Sequence, residues 1–213
     1  MSTLQRNRLA KLPPANASAG HNSGISISVA SSMTDLMKVV AIRAAVYLAE
    51  QDCPFSEEFD GNDFCAMHLI GTVKGEPAAC LRARFFADFA KLERLAVRHE
   101  FRRSRLSFDM VRTGIKLCKR KGYTRIYGHA QDRLVSFWSR FGARPMEPHR
   151  ELTFSDYSYT EMLLVTERDP DAISLESDPY VLIRPEGVWD EPGPLEFSAA
   201  RPVTSPNRHQ RAA

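Results

Sequence analysis

Residues 91–145, KLERLAVRHEFRRSRLSFDMVRTGIKLCKRKGYTRIYGHAQDRLVSFWSRFGARP, constrain the fold more than any other stretch. Their pattern predicts a strand over 91–97, an Arg-rich turn, a long helix over 104–121, a strand over 124–127 and a second helix over 132–141. Leu106, Met110, Ile115, Leu117 and Cys118 form the stripe of the long helix, basic residues crowd its negative end, and Gly122 is placed as its cap. The second helix sets Leu134, Phe137, Trp138 and Phe141 on one face and ends at Gly142. A helix entered from an Arg-rich turn is an anion site, because its first amides lack intrahelical partners and its dipole points outward. Arg102, Arg103 and Arg105 occupy that turn, so a phosphate-bearing ligand is the first functional expectation.

Ahead of this block, residues 24–29 alternate apolar and polar, which predicts a strand. Ser32 and Asp35 frame a capping box for a helix reaching about Ala49, with Leu36, Val39, Val40 and Tyr47 on one face. Arg43 lies beside that face and needs an anion partner if buried. Residues 50–63, EQDCPFSEEFDGND, hold six carboxylates. They read either as a solvated acidic loop or as a substrate-side loop that attracts a cationic amine. Residues 64–72 and 77–86 read as strands joined at Lys74-Gly75, which makes an antiparallel meander with 91–97. Residues 151–154 and 157–165 form a closing hairpin through Ser155-Asp156, and 180–184 could add an edge strand. The chain thus divides into a mobile arm (1–24), a folded domain (25–166) and an irregular Pro-rich tail (167–213).

At 213 residues, 43% hydrophobic and 26% charged, the chain can bury one ordinary core. A net charge of +3 is too small to argue for nucleic-acid binding. The four cysteines show no metal-ligand spacing, and no run of apolar residues is long enough to span a bilayer, so a metal-free cytoplasmic protein with reduced thiols is expected.

Leu95-Ala96-Val97 followed by Phe101-Arg102-Arg103-Ser104-Arg105-Leu106-Ser107 resembles the fourth strand and phosphate loop of the GCN5-related N-acetyltransferase (GNAT) family. Arg43-Ala-Ala-Val-Tyr47, Glu50-Gln51-Asp52-Cys53-Pro54, Asp60-Gly61-Asn62-Asp63, His68, Gly75-Glu76-Pro-Ala-Ala79, Arg82 and Ala130-Gln131 are similar to its ElaA-type branch. The resemblance covers roughly residues 36–165. It implies an α/β (α+β) fold: a mixed, mostly antiparallel sheet of six to seven strands, flanked by about four helices and splayed between strands four and five. It further implies acetyl-CoA or another acyl-CoA as co-substrate and direct attack of a primary amine on the thioester. Leu95, Ala96 and Val97 would meet the pantetheine arm, Arg102, Arg103, Ser104, Arg105, Leu106 and Ser107 the pyrophosphate, with Gln131 and Trp138 beside the cofactor. Arg43, Glu50, Asp60 and Asp63 would face a small-molecule or peptide amine acceptor.

Two departures from the family pattern bear on chemistry. Arg105 and Ser107 stand at the two loop glycines, where glycine lets phosphate oxygens approach the backbone. Either Arg105 folds outward and adds charge, or the loop holds CoA differently. Trp138 stands where many members carry a tyrosine acid, and an indole N–H cannot protonate a thiolate at useful pH. A base is needed because only a neutral amine attacks. Glu93 is the first candidate and is equally readable as an exposed strand residue or the ion partner of Arg94 or Arg82; His129 is the second. His68 is read as supporting packing or the acidic loop, and Phe137 and Trp138 as core.

Two alternatives stay open. Residues 58–63, with Arg43-x-x-x-Tyr47 and Glu93-Arg94, are similar to acyl-homoserine-lactone synthases, although the tryptophan between the arginine and the acidic motif is absent. Loss of the glycines and the tyrosine also fits a degenerate domain that binds without catalysis. An open edge strand offers a route to a homodimer.

Overall fold

A computed structural model describes residues 24–202. The N-terminal arm, Gly24 excepted, and the end of the tail lie outside the described residues. Eight strands form one mixed sheet: β1 (Ile25–Val29), β2 (Met67–Val73), β3 (Glu76–Phe85), β4 (Ala90–Val97), β5 (Arg125–Gln131), β6 (Arg144–Pro145), β7 (Leu152–Phe154) and β8 (Tyr157–Val165). Their order is β1-β2-β3-β4-β5-β8-β6, with β7 also paired to β8. Only β4 and β5 run parallel. The sheet exceeds the expected six to seven strands because β6 is two residues long and leaves no period in the sequence. Lys74 and Gly75, at φ 51° and 86°, make the tight left-handed hairpin turn that matches strand twist.

β4 departs from regular alternation at one point. Cys80 pairs with Ala96 and Arg82 with Glu93, so Arg94 and Leu95 together oppose Leu81. Arg94 is the first residue of this bulge and lies at φ 54°. Beside it the sheet opens. β4 pairs with β5 only at Ala90↔Ile126 and Lys91↔Tyr127, leaving the rest of that β4 edge without a strand partner.

Two helices cover opposite faces. α1 (Met33–Arg43) starts with the expected capping box: Ser32 Oγ accepts the Asp35 amide and donates to the Asp35 carboxylate. It runs on through a wider π-type turn to Leu48, and buries Val39, Ile42 and Val46 against Ile70, Cys80 and Ala96. Val40, expected on the inner face, is exposed, because Val39, Ile42 and Val46 hold the i, i+3, i+7 positions on the sheet. α3 (Leu106–Arg120) packs on the other face through Leu106, Met110, Gly114 and Leu117.

Gly114 allows α3 to lie close to the sheet, since a Cβ there would come within 2.5 Å of Leu81 Cδ2 and 3.3 Å of Leu92 Cδ2. Gly114→Val should therefore cost about 2 kcal/mol by overpacking. A urea midpoint equal to wild type would refute this close approach. Shorter helices follow the loops: α2 (Phe55–Glu58), α4 (Val135–Ser139) and α5 (Pro179–Leu182).

α5 replaces the edge strand expected at 180–184. Asp178 caps it by accepting the Tyr180 amide, and Pro179 sits at its first turn, where a missing N–H costs nothing. The irregular segment beyond β8 packs onto the domain. The Ile173 amide donates to the Arg120 carbonyl, Lys121 pairs with Glu186, and Trp189 is buried in the core with Lys121 over its ring. Gly187 lies so close to β1 and β2 that a Cβ would meet Val29 and Met67.

Candidate active site

The divergence of β4 from β5 opens a cleft of about 880 Å³. β4 supplies Lys91, Glu93, Arg94, Leu95 and Val97 to one wall; β5 supplies His129 and Gln131 to the other. Tyr47 closes one side, with its hydroxyl donating to the Leu95 carbonyl at 2.8 Å. Trp138 and Phe137 of α4 close another, within a cluster of aromatic rings that includes Phe108 and Phe141.

At one end the cleft reaches the start of α3. Arg105 is the N-cap residue, at φ −78°, and its side chain is exposed and gives no cap to the helix amides. This backbone does not need glycine, and Arg105 folds outward. Arg103 and Ser104 are exposed in the same turn, Leu106 is wholly buried, and Ser107 lines the cleft. Arg102 Nε donates to the Val97 carbonyl at 2.9 Å, and its guanidinium pairs with Glu50 across the cleft mouth. The structure thus joins a residue expected at the cofactor to one expected at the acceptor.

The acidic loop is not a solvated face. Arg43 and Arg82 are fully buried, and both hold Asp63. Arg43 also holds Glu58, Arg82 grips Asp60 and Glu93, and Arg94 reaches Glu58 at 3.0 Å and Asp60 at 3.5 Å. Glu93 receives Lys91 as well, at 2.7 Å. Burial raises the Glu58 pKa against the pull of Arg94 and Arg43. For Asp60, burial is outweighed by hydrogen bonds from Arg82 and the Asn62 amide, which hold its carboxyl below the usual range; Arg43 and Arg82 do the same for Asp63. Of the acceptor-side residues read from sequence, Glu50 and Asp60 line the cleft, whereas Arg43 is spent on the ion network and Asp63 bridges its two arginines. Ala96 packs toward α1 and is not among the residues that line the cleft. His68 is buried, with Nε2 3.0 Å from the Asp63 carbonyl, and so supports the acidic loop.

Of the far wall, the sequence reading named His129 and Gln131 but not the residues behind them. On β5, Tyr127, His129 and Gln131 share a face by strict alternation, and β8 sets Tyr157, Tyr159 and Glu161 on the same side. His129 lies opposite Glu161 and Gln131 opposite Tyr159. Tyr127 donates its hydroxyl hydrogen to Glu161, and its oxygen is 2.6 Å from His129 Nε2. Arg150 pairs with Glu161. Burial, helped by Lys91, lowers the His129 pKa from its ordinary value and so favours the neutral ring. Gln131 Nε2 reaches the Tyr159 hydroxyl at 3.4 Å and its buried Oε1 has no protein partner. Phe154 stacks on Tyr159, and Ser155 donates to Glu57 at 2.6 Å, closing this end of the cleft. The paired alternations YGHAQ and YSYTE were the available signal.

A mixed sheet opened between its one parallel pair, beside an arginine-rich helix start, defines the class of acyl-CoA-dependent N-acyltransferase folds. The family model for "Acetyltransferase (GNAT) family" matches residues 37–143, and the chain belongs to that family. A Bacillus subtilis (strain 168) protein with a provisional acetyltransferase name is 29% identical over 113 residues, which cover 52% of this chain and 77% of that protein. Escherichia coli ElaA superposes with a TM-score of 0.58 at 21% identity, over 66% of this chain and 99% of ElaA. A GNAT family acetyltransferase from Elizabethkingia anophelis, solved with acetyl-CoA bound, superposes with a TM-score of 0.52 at 16% identity, over 68% of this chain and 99% of its own. Among the described residues no helix is long and apolar enough to cross a membrane.

Proposed function

We propose that the domain of residues 25–166 transfers an acyl group, acetyl first among them, from acyl-CoA to a primary amine by direct attack on the thioester. The observation that carries this reading is the unpaired β4 edge beyond Lys91, which leads to the start of α3. Backbone groups of Leu95, Ala96 and Val97 would bind the amide-rich pantetheine arm, as an added strand would. The amides of the first α3 turn, with Arg102, Arg103, Ser104, Arg105 and Ser107, would take the pyrophosphate. The E. anophelis neighbour, with acetyl-CoA bound, supports the choice of ligand. Four free thiols support a reducing, cytoplasmic setting.

His129 is the base in this reading. The Glu93 carboxylate is engaged by Arg82 and Lys91, whereas His129 lines the cleft with only its Nε2 engaged, by Tyr127. An ammonium acceptor gives one proton to His129. The freed amine forms the C–N bond, the C–S bond breaks with its electron pair going to sulfur, and the second proton lost from nitrogen reaches the thiolate through water. Trp138 packs against the cofactor and moves no proton. Glu50 and Asp60 flank the acceptor end, though both are neutralised by arginine, so the site selects an amine by shape and aromatic contact more than by net negative charge.

Thermal shift with acetyl-CoA should show stabilisation by about 2.7 kcal/mol at a hundredfold excess over Kd, and none with S-adenosylmethionine. Thiol release should follow with one or more amines from a broad panel. Arg102→Ala should raise the Kd for CoA about 10-fold through loss of a charged phosphate contact. No stabilisation by any CoA ester would end this reading.

A further inference from the structure

The four groups Tyr127, His129, Glu161 and Arg150 form a continuous chain from the cleft wall to the surface, and His129 alone of them lines the cleft. Their hydrogen-bonding inventory permits a single arrangement. Arg150 keeps Glu161 ionised, with burial only partly opposing it, so that carboxylate accepts and does not donate. Tyr127 has one hydroxyl hydrogen, and Glu161 takes it. The phenol oxygen can then only accept from the imidazole, so Nε2 of neutral His129 carries the hydrogen. Nδ1 is left as the ring's lone-pair nitrogen.

We propose that Tyr127, Glu161 and Arg150 are positioning residues that fix His129 in its Nε2–H tautomer and so make Nδ1 the proton acceptor for the incoming amine. This rests on the N-acyltransferase reading above. The proton balance is closed. The acceptor ammonium loses a proton to Nδ1, and the imidazolium holds its Nε2–H on the Tyr127 oxygen. Water in the cleft then takes the proton from Nδ1, which restores the Nε2–H tautomer and leaves Glu161 ionised throughout.

Tyr127 is half-buried, and both its hydrogen and its oxygen are engaged, by Glu161 and His129. Lys91 and Glu93 of β4 also face His129. Lys91 lowers its basicity, while Glu93 and Glu161 raise it and Arg150 lowers it. Phe154 packs edge-on at 5.7 Å and holds the ring plane. The layout matches the general logic of a base oriented by a third group, in which the outer carboxylate sets tautomer and need not itself take part in bond making.

The test has two arms. In the unliganded wild-type protein, ¹⁵N NMR of the imidazoles should show His129 as the Nε2–H tautomer at pH 7.5; the Nδ1–H tautomer would overturn the proposal whether or not the enzyme turns over. In kinetics, Glu161→Gln and Tyr127→Phe should each lower kcat about 10–100-fold, as loss of an outer-shell partner commonly does. KM for acyl-CoA should stay unchanged. The double variant should be no worse than either single, because each cut breaks the same chain. In Glu161→Gln the acid limb of the kcat/KM profile should move to lower pH, since an anion that favours imidazolium is gone. Multiplicative losses, or an unmoved limb, would leave these residues merely structural. Failure of all acyl transfer, with the Nε2–H tautomer present, would instead sink the N-acyltransferase reading and spare the positioning geometry.

Discussion

Arg82→Ala is expected to destabilise the protein by about 3–5 kcal/mol, the range seen when one partner of a buried ion pair is removed. The guanidinium is fully buried and holds three carboxylates, Asp60 at 2.7 Å and Asp63 and Glu93 at 2.9 Å. Without it those groups share Arg43, Arg94 and Lys91, which cannot satisfy them all. The pH dependence gives the mechanism its signature. In the wild type, Asp60 and Asp63 are more acidic folded than unfolded. Their contribution is therefore full above the unfolded value of about 3.9 and is lost as pH falls through the folded one. In the variant that depression is weakened, since Asp60 loses Arg82 and Asp63 keeps only Arg43, so the gap to wild type should narrow as pH falls below about 4. Urea unfolding at several pH values measures it. A gap independent of pH would mean that Arg82 acts through packing alone.

His129→Gln should lower kcat about 10²–10⁴-fold at pH 7 with acyl-CoA binding unchanged, the span expected for loss of a general base. The deficit should shrink as pH rises. Without a base, only amine already deprotonated in solution reacts, and for an alkylamine with a pKa near that of lysine, about 10.4, this fraction grows tenfold per pH unit across the neutral range. Added imidazole should restore part of the rate. A variant that turns over at wild-type speed at pH 7 would return the role to Glu93 or to water.

The order of elements was legible because each signal is local. The Ser32 capping box, the Lys74-Gly75 turn and the stripe of α3 each depend on residues within a few positions of one another. The bulge in β4 was not read, because Leu95, Ala96 and Val97 are all apolar and hide the slip of the two-residue period at Arg94. The resemblance to the family supplied what local patterns could not, namely that β4 and β5 part.

What stayed hidden needed pairing across the sheet. Tyr127 and Glu161 are 34 residues apart and meet only because β5 and β8 are antiparallel in one register. The acidic loop was hard for a related reason. Its charges look solvated until Arg43 and Arg82, from a helix and a distant strand, are seen to be buried beneath it. The α5 helix was hidden by composition, since a Pro-rich surrounding masked the Asp178-Pro179 start signal.

The segment after β8 bears on how the molecule comes apart. Opening the cleft leaves the β1–β4 half and the β5–β8 half joined through two residue pairs of the sheet. The sheet holds this seam weakly, and the rest of the union is one core shared by both halves, with Leu92 and Ile126 in it. The chain beyond Val165 leaves the second half, runs past the end of α3, and seats Gly187 on β1 and β2 and Trp189 in that shared core. It acts as a tie across the seam, so the halves should lose amide protection together in hydrogen exchange, as a single cooperative unit. An enzyme split for access to its substrate is thereby kept from splitting altogether.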